Sequence, residues 1–437
     1  MSNGETIAFF PEAAYGPALN SLGIAQECRK LGYEPVFIID PSMTELFEEQ
    51  GFEAHSVSMA DPSLTPEETA KYWDDFINTH LPNFDKTPYE QLENYIPECW
   101  EAIFETAKWA QQDLPEVLEG IDPDLICIDN VILFPAIKQY GVPWVRITSC
   151  SENEIPDPNL PPYLSGCRTD DKAAHYEFEA RYREVIEPVH ERFSEFLADH
   201  GEGPYPRGLF FEPSPYLNLI KYPERLRWDR WNELDPERFQ YLNGCMREDD
   251  DTYDVPDIGN ESDPLIYLSF GSLGAGDTDL MSRFIEFFGA GPYRALVNVG
   301  EYVGEYDESE LPSNVRIDSW FPQQSVISHA DLVIHHGGNN TFNECLYYGT
   351  PAIVMPYVWD GQDNATRLDE TGHGLKRHRS DWTDGELAMA IETCLTDDEI
   401  RANLRATATD MQESDGRRKA ASLLGDLVEA NGYETHG

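Results

Sequence analysis

Positive charge is scarce in this 437-residue chain: 31 Lys plus Arg stand against 81 Asp plus Glu, a formal charge of −50. Lysine is the rarer base, 9 against 22 Arg. Such a polyanion excludes nucleic acid as a natural partner, because phosphate backbones are bound by basic patches. The acids are spread through every segment, so they read as a solvated surface and not as a docking patch for a basic protein. Charges in this excess repel one another in dilute buffer, and molar salt, with a screening length of about 3 Å, removes most of that penalty. The expected setting is a salt-rich cytosol.

Long apolar runs are missing as well. The best, Leu125 to Trp144, is interrupted by Asp129, Asn130 and Lys138, and a bilayer helix needs roughly 20 apolar residues. Only peripheral membrane contact is left open. The amino terminus has no basic stretch followed by an apolar core, which argues against export. The eight cysteines include no CxxC pair and no zinc spacing, so reduced, mostly buried thiols are expected. The patterns GxxxxGK(S/T), HExxH, GxSxG and a strict GxGxxG are all absent.

What the chain does have is alternation of strands and helices. Thr6 to Phe10, Pro35 to Ile39, Asp124 to Ile128 and Trp144 to Thr148 read as strands, and Asn20 to Leu31 as a helix stopped by Gly32. A second series runs from strand Leu265 to Phe270 through strands at Arg294, Val315, Leu332 and Ala352, with helices Asp279 to Phe288 and Asn340 to Tyr348. The fold expected is α/β, two tandem doubly wound domains with a cleft between them. Their bounds are set at 1–222 for the N-terminal domain, 223–263 for a Pro-rich acidic linker, 264–413 for the C-terminal domain and 414–437 for a last helix returning across the boundary. The aromatic stretch from Trp73 to Trp109 supplies mostly core, and some rings to line an apolar cleft.

The most informative stretch is Asp331 to Ala365, DLVIHHGGNNTFNECLYYGTPAIVMPYVWDGQDNA. A buried strand ends at His335 and His336, Gly337 and Gly338 turn the chain, and Asn339, Asn340 and Thr341 open a helix. Free N–H groups at such a helix start favour an anion, and glycines let a diphosphate approach the backbone. Trp320, Pro322 and Gln323 precede the strand, Glu344 lies one turn into the helix and Asp360 follows the next strand. An aromatic platform, a ribose acceptor and a sugar acceptor thus surround one diphosphate site.

On these residues the chain resembles the family-1 nucleotide-sugar-dependent glycosyltransferases of the GT-B fold, in the macrolide and plant secondary-metabolite group. The resemblance implies that Trp320 stacks on uracil, Gln323 touches the base and Glu344 holds the ribose. It also implies that Ser272, His336, Gly338, Asn340 and Thr341 bind the diphosphate and that Asp360 binds sugar hydroxyls. No metal or other cofactor is implied; the donor is a UDP-sugar and the acceptor a small or lipid-like alcohol. The triplet Asp277-Thr278-Asp279, like the metal motif of unrelated transferases, is expected at the surface, and His335 with His336 makes no metal pair because adjacent strand residues face opposite ways.

Two departures mark this chain. The family's Gln directly after the sugar-binding acid is replaced by Gly361, with Gln362 one position later and a candidate to reach the sugar. The family's Gly-His pair after the first strand, whose His deprotonates the acceptor, reads Gly16-Pro17 here, and the first His of the chain is His55. The Asp that orients that His is matched by Asp129. Three answers stay open: Asp129 acts as base directly or through water, Glu12 or Tyr15 does so, or the protein binds nucleotide-sugar without transferring it. A GT-B epimerase is the remaining alternative. The oligomeric state has no signature.

Overall fold

The computed structural model describes residues 4–61, 63–249 and 251–435. Two parallel sheets organise the chain. The first has the order β3-β2-β1-β4-β5-β6-β7. It is built from β1 (Thr6–Pro11), β2 (Glu34–Ile39), β3 (Glu53–Ser56), β4 (Leu125–Asp129), β5 (Trp144–Thr148), β6 (Leu217–Ile220) and β7 (Phe239–Tyr241). The second has the order β10-β9-β8-β11-β12-β13. Its strands are β8 (Leu265–Ser269), β9 (Arg294–Asn298), β10 (Val315–Asp318), β11 (Leu332–His335), β12 (Ala352–Val354) and β13 (Gly374–Lys376). Every pairing is parallel. That is the two-domain GT-B architecture, and it directs the loops after β1, β4, β8 and β11 into the cleft, since ligands gather beyond the carboxyl ends of parallel strands.

The central strands are apolar on both faces because helices cover both: β4, LICID, is buried at every position. The helix Leu22–Leu31 ends where Gly32 takes φ +95°, a conformation that suits glycine. Against it lies the last helix, Gly416–Thr435, whose Ala420, Ala421, Leu424 and Val428 share one apolar cluster with Ile7, Leu22 and Ile24. Lys30 and Arg417 both pair with Glu248 of the connecting segment, tying three parts of the chain together.

The expected linker, 223–263, needs correction. Phe239–Tyr241 within it pairs in parallel with β6 and closes the first sheet. Three residues, half-buried at each position, are too short to show a period of two among prolines and acids. Asp277 also departs from expectation: its carboxylate caps the helix Thr278–Ala290 and pairs with the fully buried Arg379 at 2.8 Å. It is a structural ion pair, not a bare surface acid. Among the described residues no helix is long and apolar enough to cross a membrane, and no group of three or more His, Cys, Asp or Glu is arranged to hold a metal.

Candidate active site

The donor side is shaped by close approach. β11 ends at His335, whose ring is fully buried and accepts from the Gly337 N–H at 3.1 Å. His336 leaves in another direction and stacks on Tyr357, with centroids 5.3 Å apart. A Cβ at Gly271 or Gly338 would stand 3.0 or 2.5 Å from the His336 ring. Glycine at both places is therefore what gives the imidazole its room. Burial pushes the His336 pKa down to about 4, so the ring is neutral at pH 7, with a buried Nδ1 that finds no hydrogen-bond partner among the described residues.

The helix Asn339–Tyr348 begins after Gly338 with no side-chain cap. Its first N–H groups are left to an outside acceptor, and its dipole favours an anion there. Thr341 and Glu344 both accept from Gln323, and Glu344 is buried in an ion pair with Arg247 at 2.9 Å. Trp320 stays 49% exposed, an open face beside them in sequence. The side chain of Ser272 lies outside the described residues; its backbone belongs to the helix Gly271–Ala275.

Asn340 departs from its expected part. Its Nδ2 donates to the Gly16 carbonyl at 2.8 Å and its Oδ1 accepts from Lys221 at 2.8 Å. Both ends of the amide are committed to the opposite domain, which leaves its backbone N–H, not its side chain, for a diphosphate. Asn339 does likewise, donating to the carbonyls of Ser149 and Lys221.

Asp360 stands at the start of the helix Gly361–Glu370, and its Oδ2 accepts from Asn364 at 3.2 Å. Burial and the neighbouring Asp363 raise its pKa to about 8, with Glu12 and Glu154 adding to the rise. A Cβ at Gly361 would stand 2.5 Å from the His336 carbonyl, so the family's Gln has no room at this position. Gln362 is buried against Gly166 of the N-terminal domain, where a Cβ on that glycine would lie 3.0 Å from its own. Its Cβ thus packs a contact between the two domains. Asp363, beside it, accepts from the Leu164 and Gly166 N–H groups at 2.7 and 2.8 Å and docks the two domains.

On the acceptor side the chemistry is carboxylic. Asp129, at the end of β4, is buried, its Oδ1 accepts from Ser149 at 2.6 Å, and its Oδ2 has no hydrogen-bond partner among the described residues. Burial raises its pKa to about 7 against the lowering pull of Ser149 and Lys221. Glu12 follows β1, donates its N–H to the Asp129 carbonyl at 2.9 Å and is raised to about 7 by burial and by Glu154. Pro17 sits in the one-turn helix Tyr15–Ala18, and Tyr15 is 54% exposed. Trp359, at φ +54°, places its ring 5.4 Å from Trp100, which stacks on Phe210 at 4.1 Å; these rings form an apolar wall next to Asp360. Tyr95 and Phe104 are core, while Trp73 and Tyr89 are each 40% exposed.

Sequence reading missed Lys221, Asn20, Ser149 and Arg247. None lies in a motif; the one available signal was a lysine closing an apolar strand in a chain so poor in lysine.

Residues 299–423 match the C-terminal domain of proteins like erythromycin biosynthesis protein CIII. This stretch resembles an EryCIII-like C-terminal domain. The chain is also 23% identical over 438 residues to demethyllactenocin mycarosyltransferase of Streptomyces fradiae, spanning 97% of this chain and 86% of that one. It is 23% identical over 427 residues to oleandomycin glycosyltransferase of Streptomyces antibioticus, spanning 96% and 90%. Among solved structures, a glycotransferase of kitacinnamycin superposes with a TM-score of 0.75 at 20% identity, covering 98% of this chain and 100% of that one. A calicheamicin glycosyltransferase gives 0.69 at 17% identity, covering 98% and 99%. The EryCIII-like domain, its relatives and the shared GT-B fold support the resemblance to family-1 glycosyltransferases over both domains.

Proposed function

We propose that the protein is an inverting, metal-independent glycosyltransferase that moves a hexosyl group from a UDP-sugar to a hydroxyl of a small hydrophobic or lipid-like acceptor. One observation carries this reading. An uncapped helix start beside a neutral His336 and a buried carboxylate of raised pKa, Asp129, meet across the cleft and are joined through Asn339 and Ser149.

The chemistry is a single displacement. The acceptor oxygen attacks the anomeric carbon from the side opposite the diphosphate, Asp129 takes the hydroxyl proton, and the C–O bond to the diphosphate breaks with its electron pair leaving on UDP. A carboxyl with pKa near 7 is matched to that task. His336 and the helix N–H groups meet the charge that develops on the departing diphosphate, which supplies the stabilisation a metal gives elsewhere. Ribose hydroxyls reach Glu344 by sharing or displacing its Arg247 partner. Glu12 is the second candidate base, because its charge faces both Asp129 and Asp360. The scarcity of bases supports a high-salt cytosol as the setting of the reaction.

The test is acceptor-dependent release of UDP in molar KCl, with and without chelator, using UDP-sugars and phenolic, terpenoid and glycolipid alcohols, with the mass and anomeric configuration of each product. A solved relative holds DTDP, so dTDP-sugars belong in the same panel. A hexose mass shift with inverted configuration, unaffected by chelator, is expected. Tight UDP binding with no release for any acceptor would favour a binding protein, and a second nucleotide-sugar formed without acceptor would favour an epimerase.

A further inference from the structure

Lys221, just beyond β6, is 5% exposed, and among the described residues it is the one buried lysine. A buried ammonium is costly unless paired and fully hydrogen-bonded. Among the described residues no carboxylate lies within ion-pair distance of this one. Its two acceptors are neutral amides, Asn20 Oδ1 at 3.0 Å and Asn340 Oδ1 at 2.8 Å. An apolar side chain would make a more stable interface, so the charge invites a functional explanation.

The hydrogen bonds supply one. Lys221 donates to Asn20, Asn20 Nδ2 donates to Ser149 Oγ at 2.7 Å, and Ser149 donates to Asp129 Oδ1 at 2.6 Å. Every link points its donor toward Asp129. On the other side the ammonium holds Asn340, the second residue of the helix that opens the diphosphate site, and Asn340 in turn holds Gly16, the residue before Pro17. Lys221 thus stands between the carboxylate and the anion site, bonded to both domains.

We propose that Lys221 is a positioning residue: through Asn20 and Ser149 it keeps Asp129 oriented and ionised, and Asn340 completes its shell when the two domains are apposed, so the base is armed by the closed cleft. This rests on Asp129 being the base. The titratable and charged groups around the pair are Glu12 after β1, Glu154 after β5, Arg247 and the thiol of Cys245 in the segment after β7, and Glu344 of the helix Asn339–Tyr348. Lys221 and Arg247 are the cations among them, and removing Lys221 leaves Asp129 facing Glu12 and Glu154 with less opposition.

The experiment uses the full chain in molar KCl. Tm is followed from pH 5.5 to 9 for wild type, Lys221→Met, Asp129→Asn and the double variant. In each background, the difference between the protein that keeps Asp129 and its Asp129→Asn counterpart reports the ionisation of that carboxyl, without any substrate. In the Lys221→Met background its midpoint is expected about one pH unit higher, the size of effect a nearby opposite charge has on a carboxyl. In parallel, kcat/KM with UDP-glucose and the best acceptor of the panel is expected to lose activity at pH 7 and to regain it at pH 9, and Lys221→Arg to restore part of the neutral-pH activity. If Lys221→Met does not fold, Asn20→Ala, which cuts the relay and keeps both charges, is expected to move the same midpoint in the same direction.

A midpoint unmoved in either background overturns the proposal. Full turnover in Asp129→Asn overturns the base reading instead, and the Tm series still reports whether Lys221 and Asp129 are coupled.

Discussion

The two sides of the cleft are made in different ways. The donor side is set by space: glycines at 271, 338 and 361 stand where a Cβ would meet His336 or its backbone at 3.0, 2.5 and 2.5 Å. The acceptor side is set by charge, with buried Asp129 and Lys221 and half-buried Glu12 and Glu154 drawn from four separate segments and brought near one another. Steric fit is written mostly in one contiguous stretch, 336–361, with Gly271 added from the turn after β8, whereas the charge network is assembled wholly from distant segments. The first side is accordingly expected to break through volume and the second through protonation.

The largest effect is expected on the acceptor side. Asp129→Asn keeps the shape and removes the base, and should lower kcat by about 1,000-fold, within the range of general-base catalysis. Glu12→Gln should cost far less in steady-state turnover, and the reverse ranking would hand the role to Glu12. On the donor side His336→Ala should lower kcat by about 100-fold with a smaller change in KM, as expected when a donor acts on charge that develops in the transition state. Gly361→Gln restores the family's residue but collides with the His336 carbonyl, so it should cost about 1–3 kcal/mol of stability and weaken donor binding, read as a lower Tm and a higher KM.

The smallest expected effect concerns pH. Glu12, Asp129 and Asp363 are raised to about 7 and Asp360 to about 8 in the folded protein, against about 4 in the unfolded chain. The folded state then binds more protons over that window, so stability falls as pH rises from 6.5 to 8. Below pH 6.5 His335, His336 and His373, lowered by desolvation to about 3, 4 and 4, oppose part of the further gain. Tm at constant salt should therefore fall from pH 6.5 to 8 and change less steeply below pH 6, and the slope should shrink in Asp129→Asn and in Asp360→Asn.

The placement of most donor-side candidates was legible because these residues are local. His336, Gly338, Thr341, Glu344 and Asp360 lie within one strand-helix-strand unit, where spacing alone places them, although spacing could not show that the Asn340 side chain turns to Gly16 and Lys221. The strands missed were β3, β6, β7 and β13, which are short, and β3 (EAHS) is largely polar, so no alternation marks it. Lys221 was invisible for a different reason. Its meaning lies in two hydrogen bonds to residues 201 and 119 positions away, and only the folded interface brings these together.

The central claim is that a carboxylate at the floor of the cleft replaces the histidine that Pro17 denies this chain. The most direct measurement is the pH dependence of wild-type kcat/KM for acceptor-dependent UDP release, compared with Asp129→Asn. The account predicts a rate that climbs through a single ionisation near pH 7 in the wild type and loses that limb, along with most of its height, in the variant. A wild-type profile flat down to pH 5.5, or an identical limb in Asp129→Asn, would contradict it.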